Sequence, residues 1–141
     1  MVRIVLVDDE PTVRQGLKMR LELAKELEVV GEAENGNTAL TLIRELAPDV
    51  VIMDIELPGR DGIAVTQILR AENTPAAIVI LSMHDDAETR ARASAAGASR
   101  FVSKHEGANV LLEAIRAVAP GAQAAPSTEP SASAKKSDQP S

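Results

Sequence analysis

This sequence predicts an α/β protein built on a doubly wound, five-stranded parallel sheet, and three observations carry that expectation. Short continuous apolar runs, such as VVIM at 50–53 and IVIL at 78–81, recur along the chain. Amphipathic stretches of helical spacing separate them, so strand and helix alternate five times. Strands that are apolar on both faces need cover on both, which right-handed crossover helices supply.

The elements follow in order. Val2–Val7 reads as a strand, apolar except at Arg3. An acidic turn, Asp8, Asp9 and Glu10, leads to Pro11, which suits a first helical turn. Val13, Leu17, Leu21, Ala24 and Leu27 continue at helical spacing. Residues 28–34 are a more polar strand, expected at a sheet edge, and Asn35, Gly36 and Asn37 mark a turn. Residues 38–46 form a short helix with Leu40 and Ile43 inward, closed by Pro48. A strand over 49–54 ends in Asp54. Gly62–Ala71 is helical through Ile63, Ile68 and Leu69, and 76–81 is another buried strand. A helix over 85–97, a short strand over 99–103 and the amphipathic helix Ala108–Val118 complete a domain of residues 1–119. From Pro120 the chain is Ala, Pro and Ser with charges and no large apolar residue, so 120–141 is expected to be a flexible tail.

Composition narrows the function. The 141 residues suit one domain, and 45 % are hydrophobic. One Phe and no Tyr or Trp leave nothing on which single-stranded nucleic acid could stack. A net charge of −6 argues against phosphate-backbone binding by this domain alone. Without cysteine there is no disulfide framework and no thiolate metal site. No charged-then-apolar leader opens the chain and no apolar run approaches ~18 residues, so a cytoplasmic protein, neither secreted nor membrane-spanning, is expected.

The polar residues fall where such a sheet binds ligands, at the carboxyl ends of its strands. The first strand runs into Asp8 and Asp9, the third into Asp54, the fourth into Ser82, and the fifth into Lys104. Placing the first strand beside the third gathers three carboxylates. At ~5 Å they repel by roughly 3 kcal/mol per pair at an effective dielectric of 20. Raised pKa values or a bound cation relieve that repulsion, and an all-oxygen set with room for water suits Mg²⁺. A carboxylate nucleophile, a hard metal, a lysine and a hydroxyl together make a phosphoryl-transfer site.

The motifs IVLVDDEP, VVIMDIELPGRDG, IVILSMHDD and GASRFVSK, in this order, resemble those of response regulator receiver domains over the whole of 1–119. VGEAENG, LSMHDD and LLEAIRAV are most similar to the nitrate-response, LuxR-type subgroup. The resemblance implies a flavodoxin-like strand order of 2-1-3-4-5. It implies Asp54 as phosphoacceptor, with Asp9 and Asp54 ligating Mg²⁺ directly, Asp8 through water and Glu56 through its backbone carbonyl. Ser82 would bond the phosphoryl group, Lys104 would pair with it, and Phe101 would be the aromatic that packs inward when Ser82 moves. His84 and Glu56 would tune dephosphorylation. The phosphodonor would be a sensor histidine kinase or phosphotransfer protein, and output would pass to a protein partner or through homodimerisation.

This sequence departs from the family in two places. His105 follows Lys104 where many receivers have proline, and the subgroup continues into a helix-turn-helix domain where this chain has the 120–141 segment. A truncated DNA-binding regulator is therefore one alternative. A haloacid-dehalogenase-type phosphatase is another, although it wants an Asp where Glu56 stands. A flavodoxin-like cofactor module shares the topology, but the acidic turn would repel an anionic phosphate that came without a metal. The helix over 85–97 has only alanines as apolar residues, so it should dock weakly between Ser82 and Phe101 and suit a two-state switch. Arg90, Arg92, Arg100 and Lys104 lie in or beside it, as expected of a solvated face with scattered charge.

Overall fold

A computed structural model describes residues 1–120. Five strands and five helices alternate: β1 (Val2–Val7), α1 (Pro11–Glu22), β2 (Leu27–Ala33), α2 (Gly36–Leu46), β3 (Val50–Met53), α3 (Gly62–Ala71), β4 (Ala77–Ser82), α4 (Ala87–Ala96), β5 (Arg100–Ser103) and α5 (Ala108–Val118). The sheet is parallel throughout, in the order β2-β1-β3-β4-β5. The predicted fold class and strand order are therefore those observed. Residues 121–141, most of the expected tail, lie outside the described residues.

The period of two along each strand divides the core. Val5, Val7, Val51, Met53, Ile78 and Ile80 face α2, α3 and α4. Ile4, Leu6, Val50, Ile52, Val79 and Leu81 face α1 and α5. All twelve are no more than 6 % exposed, which is why the strands read as unbroken apolar runs rather than as alternations.

Helix ends follow local chemistry. Side chains of Asn35, Asp61 and Asp86 accept hydrogen bonds from the backbone N–H groups of Thr38, Ala64 and Thr89, at 2.8, 2.8 and 3.1 Å. The turn expected at 35–37 is thus the capped start of α2. The first helix is shorter than its periodicity suggests. It stops at Glu22, and Leu27 opens β2 instead, buried beside Val2 on β1. Sheet pairing outweighs the helical spacing of that one leucine.

Two glycines let the β3–α3 loop close on the site. A Cβ on Gly62 would sit 2.1 Å from the Asp54 carbonyl oxygen, and one on Gly36 would sit 2.2 Å from that of Arg60. Gly62 N–H also donates to the Ile55 carbonyl at 2.8 Å. The start of α3 therefore packs directly on the backbone that carries Asp54.

The seating of α4 is slight. The helix buries only Ala93 and Ala96, whereas α5, on the opposite face of the sheet, buries Leu111, Leu112, Ala114 and Ile115. A buried methyl contributes about 0.8 kcal/mol, and a buried leucine or isoleucine about 1.5–3 kcal/mol. Arg70 of α3 anchors the far end of α4, its Nε donating to the Gly97 carbonyl at 2.8 Å. The Arg90 guanidinium lies 4.6 Å from the centre of the half-buried Phe101 ring.

Amide hydrogen exchange should therefore be faster in α4 than in α2 or α5; equal protection would contradict this seating. Gly62→Ala should destabilise the fold by roughly 3 kcal/mol, because backbone must give way. Gly16→Ala, at an exposed position of α1 with open space around it, should stabilise by about 1 kcal/mol. Chemical denaturation of the two variants checks both signs.

Candidate functional site

The site is the rim where the carboxyl ends of β1, β3, β4 and β5 meet. Asp54 follows β3 directly, and its backbone N–H donates to the Val7 carbonyl at 2.9 Å, fixing it against the end of β1. Asp8 follows β1, and its N–H donates to the Ala33 carbonyl of β2 at 3.1 Å. Lys104 follows β5, and its N–H donates to the Ser82 carbonyl of β4 at 2.8 Å. Each of these residues takes its place from a strand end rather than from its own loop.

Their side chains converge. The Lys104 ammonium donates to Asp8 Oδ2 at 2.9 Å and to Asp54 Oδ2 at 3.1 Å. Asp8 Oδ1 accepts from the Glu10 N–H at 2.9 Å, and Asp54 Oδ1 accepts the longer bond from the Glu56 N–H at 3.3 Å. Asp8 is 3 % exposed and Asp54 7 %, while Asp9 stands exposed beside them. One carboxylate oxygen from each of Asp8, Asp9 and Asp54 falls within 4.8 Å of the others. These are hard oxygen donors at the mouth of a cleft of about 400 Å³, which Asp9, Glu10, Asp54, Glu56, Met83 and Lys104 line. Such a donor set fits a small divalent cation that keeps part of its water.

The electrostatics follow from burial. Desolvation raises the Asp54 carboxyl above the ordinary aspartate range and the Asp8 charge adds to the rise, while Lys104 pulls the other way without cancelling it. Desolvation alone would lower the Lys104 ammonium. Its hydrogen bonds and charge interactions with Asp8 and Asp54 win, and hold it above the usual lysine value. One cation is thus shared between two buried anions, and the exposed Asp9 carries a further negative charge beside them.

The other predicted residues take distinct places. Ser82 is the last residue of β4 and fully buried, and its hydroxyl accepts the His84 N–H at 3.0 Å. Glu56, which lines the cleft, meets His84 beside it, Oε2 to Nε2 at 2.6 Å, both more than half exposed. Phe101 lies away from the cleft, on the α3–α4 side of β5. The backbone N–H of His105 donates to the Ser103 hydroxyl at 3.1 Å, and the Glu106 carboxylate accepts the Ser103 N–H at 2.8 Å. The loop after Lys104 is thereby braced by side chains.

Sequence reading missed Arg14. Its Nη1 donates to the Asp8 carbonyl at 2.6 Å and its Nε to Glu32 Oε1 at 3.2 Å. Only its position one turn after the acidic residues hinted at this, since an arginine in a first helical turn has many possible partners.

Comparison with known proteins agrees with this geometry. The family described as the response regulator receiver domain matches residues 4–116. The transcriptional regulatory protein LiaR of Bacillus subtilis is 40 % identical over 122 residues, covering 86 % of this chain and 57 % of LiaR. The transcriptional regulatory protein DegU of Brevibacillus brevis is 35 % identical over 120 residues, covering 85 % of this chain and 51 % of DegU. The chain spans about half the length of these curated relatives. Among solved structures, the signal receiver domain of NarL from Mycobacterium tuberculosis superposes with a TM-score of 0.81 at 35 % identity, covering 85 % of this chain and 97 % of that one. A LuxR-family two-component response regulator from Aurantimonas sp. gives 0.81 at 40 % identity, covering 84 % of each. With five parallel strands in the order 2-1-3-4-5 and an acid-and-lysine rim at their carboxyl ends, the chain belongs to the receiver domain family of two-component response regulators.

Proposed function

We propose that the chain is a phosphorylation switch that takes a phosphoryl group onto Asp54 from a phosphohistidine of a sensor kinase or phosphotransfer protein. The observation that carries this reading is the buried Asp54 carboxylate, sharing one ammonium with Asp8 at the mouth of an open cleft. An Asp54 oxygen attacks phosphorus, forming an O–P bond as the N–P bond to the donor imidazole breaks, and the imidazole leaves with that electron pair. Asp9, Asp54 and the Glu56 carbonyl, with Asp8 beside them, would hold Mg²⁺, whose charge would stabilise the phosphoryl oxygens. Lys104 leaves Asp54 and pairs with the phosphoryl group, while its contact with Asp8 keeps it in place. The Ser82 hydroxyl gives up the His84 N–H and turns to the phosphoryl oxygens. That rearrangement loosens the β4–α4 loop, and Phe101 with α4 responds.

Output passes through protein contacts on α4, β5 and α5, homodimerisation included, in the cytoplasm. Among the described residues no helix is long and apolar enough to cross a membrane. A second reading, the receiver portion of a DNA-binding regulator, is favoured by the relatives' description as transcriptional regulatory proteins and by their greater length. The reading frame past Ser141 decides between the two.

Intact mass spectrometry after treatment with a small acyl phosphate and Mg²⁺ tests the switch. Wild type should gain one phosphate and Asp54→Asn none, with no gain when Mg²⁺ is chelated. An unmodified wild type would refute phosphorylation at this site, and steady phosphate release from phosphomonoesters would favour the phosphatase alternative. The Glu56–His84 contact lies beside the cleft, where it would restrict the approach of hydrolytic water to the acyl phosphate. Glu56→Ala and His84→Ala should each shorten the acyl-phosphate lifetime, by roughly two- to fivefold for an exposed pair of this kind. The double variant should be no faster than the faster single one, because both changes remove the same contact. Additive effects would show that the two residues act separately.

A further inference from the structure

Arg14 belongs to α1 and contributes no ligand atom to the acidic cluster, yet every polar group of Asp8 is fixed and Arg14 supplies one of the four restraints. The Asp8 N–H is bound by Ala33, its Oδ1 by the Glu10 N–H, its Oδ2 by Lys104, and its carbonyl by Arg14 Nη1 at 2.6 Å. The Arg14 side chain is only 15 % exposed. Its direction is set from the far side by Glu32 on the edge strand β2, whose other oxygen lies 3.6 Å from Lys18. The clamp therefore ties the β1–α1 turn, which carries Asp8 and Asp9, to β2 and α1 at once.

We propose that Arg14 is the positioning residue of the cation site: by holding the Asp8 peptide it aims the Asp8 and Asp9 carboxylates and so sets the affinity for Mg²⁺. This rests on the reading of the cluster as a Mg²⁺ site. Two effects of Arg14 oppose each other. Its positive charge beside the acids weakens the attraction for a cation, while its geometry preorganises the ligands. Glu32 neutralises the charge locally, so geometry wins. Groups that orient metal ligands from behind typically change affinity by about tenfold or more when removed.

Calorimetric titration of the full chain with Mg²⁺ tests this, run well below each variant's melting temperature so that only folded protein is compared. Arg14→Ala should bind Mg²⁺ about tenfold more weakly. Arg14→Lys keeps the charge but not the two-armed reach, so it should recover only part of the loss. Lys18→Ala removes a charge from the same patch without touching Asp8 and should bind within about twofold of wild type, as expected for an exposed pair. An Arg14→Ala protein that binds Mg²⁺ as tightly as wild type, or more tightly, overturns the proposal. If that variant does not fold, wild-type affinity in Arg14→Lys overturns it. A wild type that binds no Mg²⁺ removes the cation reading itself, and the inference falls with it.

Discussion

A single ammonium group shared by two buried carboxylates is the constraint around which the rim is organised. Lys104 arrives from the last strand, Asp8 from the first and Asp54 from the third, and the three meet at 2.9 and 3.1 Å. Neither carboxylate could be desolvated alone without a heavy penalty, and together without Lys104 they would repel as well. The strand order answers this directly. With β1 beside β3, and β4 carrying β5 close behind, the three ends come within reach of one side chain. Even so, burial leaves the Asp54 carboxyl raised. Added positive charge at the rim would favour the ionised Asp54 carboxylate.

The rim is joined to α4 through short stretches of chain and the hydrogen bonds that hold them. Ser82 is the end of β4, and its hydroxyl holds the loop that begins α4. The Lys104 N–H holds the Ser82 carbonyl, so β5 and β4 share their ends at the site. Beyond that loop lies α4, which has two buried alanines, a capping Asp86 at one end and the Arg70 anchor at the other. A change at the rim meets little packing resistance there, whereas α5, with buried leucines and isoleucine, resists.

The sheet was largely legible because its strands are buried on both faces and bounded by turn residues. VVIM and IVIL could be little else between amphipathic segments. The main site residues were legible for a related reason. Polar side chains at the ends of apolar strands all project to one rim, so Asp8, Asp54, Ser82 and Lys104 could be placed before any coordinates. Leu27 misled, because its spacing continues the first helix while its burial is decided by β1. Arg14, and the Glu56–His84 contact as a pair, were invisible for a different reason. They depend on side-chain reach across loops, about which spacing along the chain carries no information. The pinning of Gly62 against Asp54 is of the same kind, since glycine in sequence signals freedom and only the fold shows the lack of room.

Asp8, Asp9 and Asp54 are proposed to form one divalent-cation pocket at the proposed site of phosphorylation. Anomalous diffraction from crystals of the full chain soaked in Mn²⁺, which substitutes for Mg²⁺ in oxygen sites, tests it most directly. The account predicts one strong peak at about 2.1 Å from carboxylate oxygens of Asp9 and Asp54 and from the Glu56 carbonyl. A map with no peak there at millimolar Mn²⁺, or with its strongest peak among other acidic residues, would contradict it.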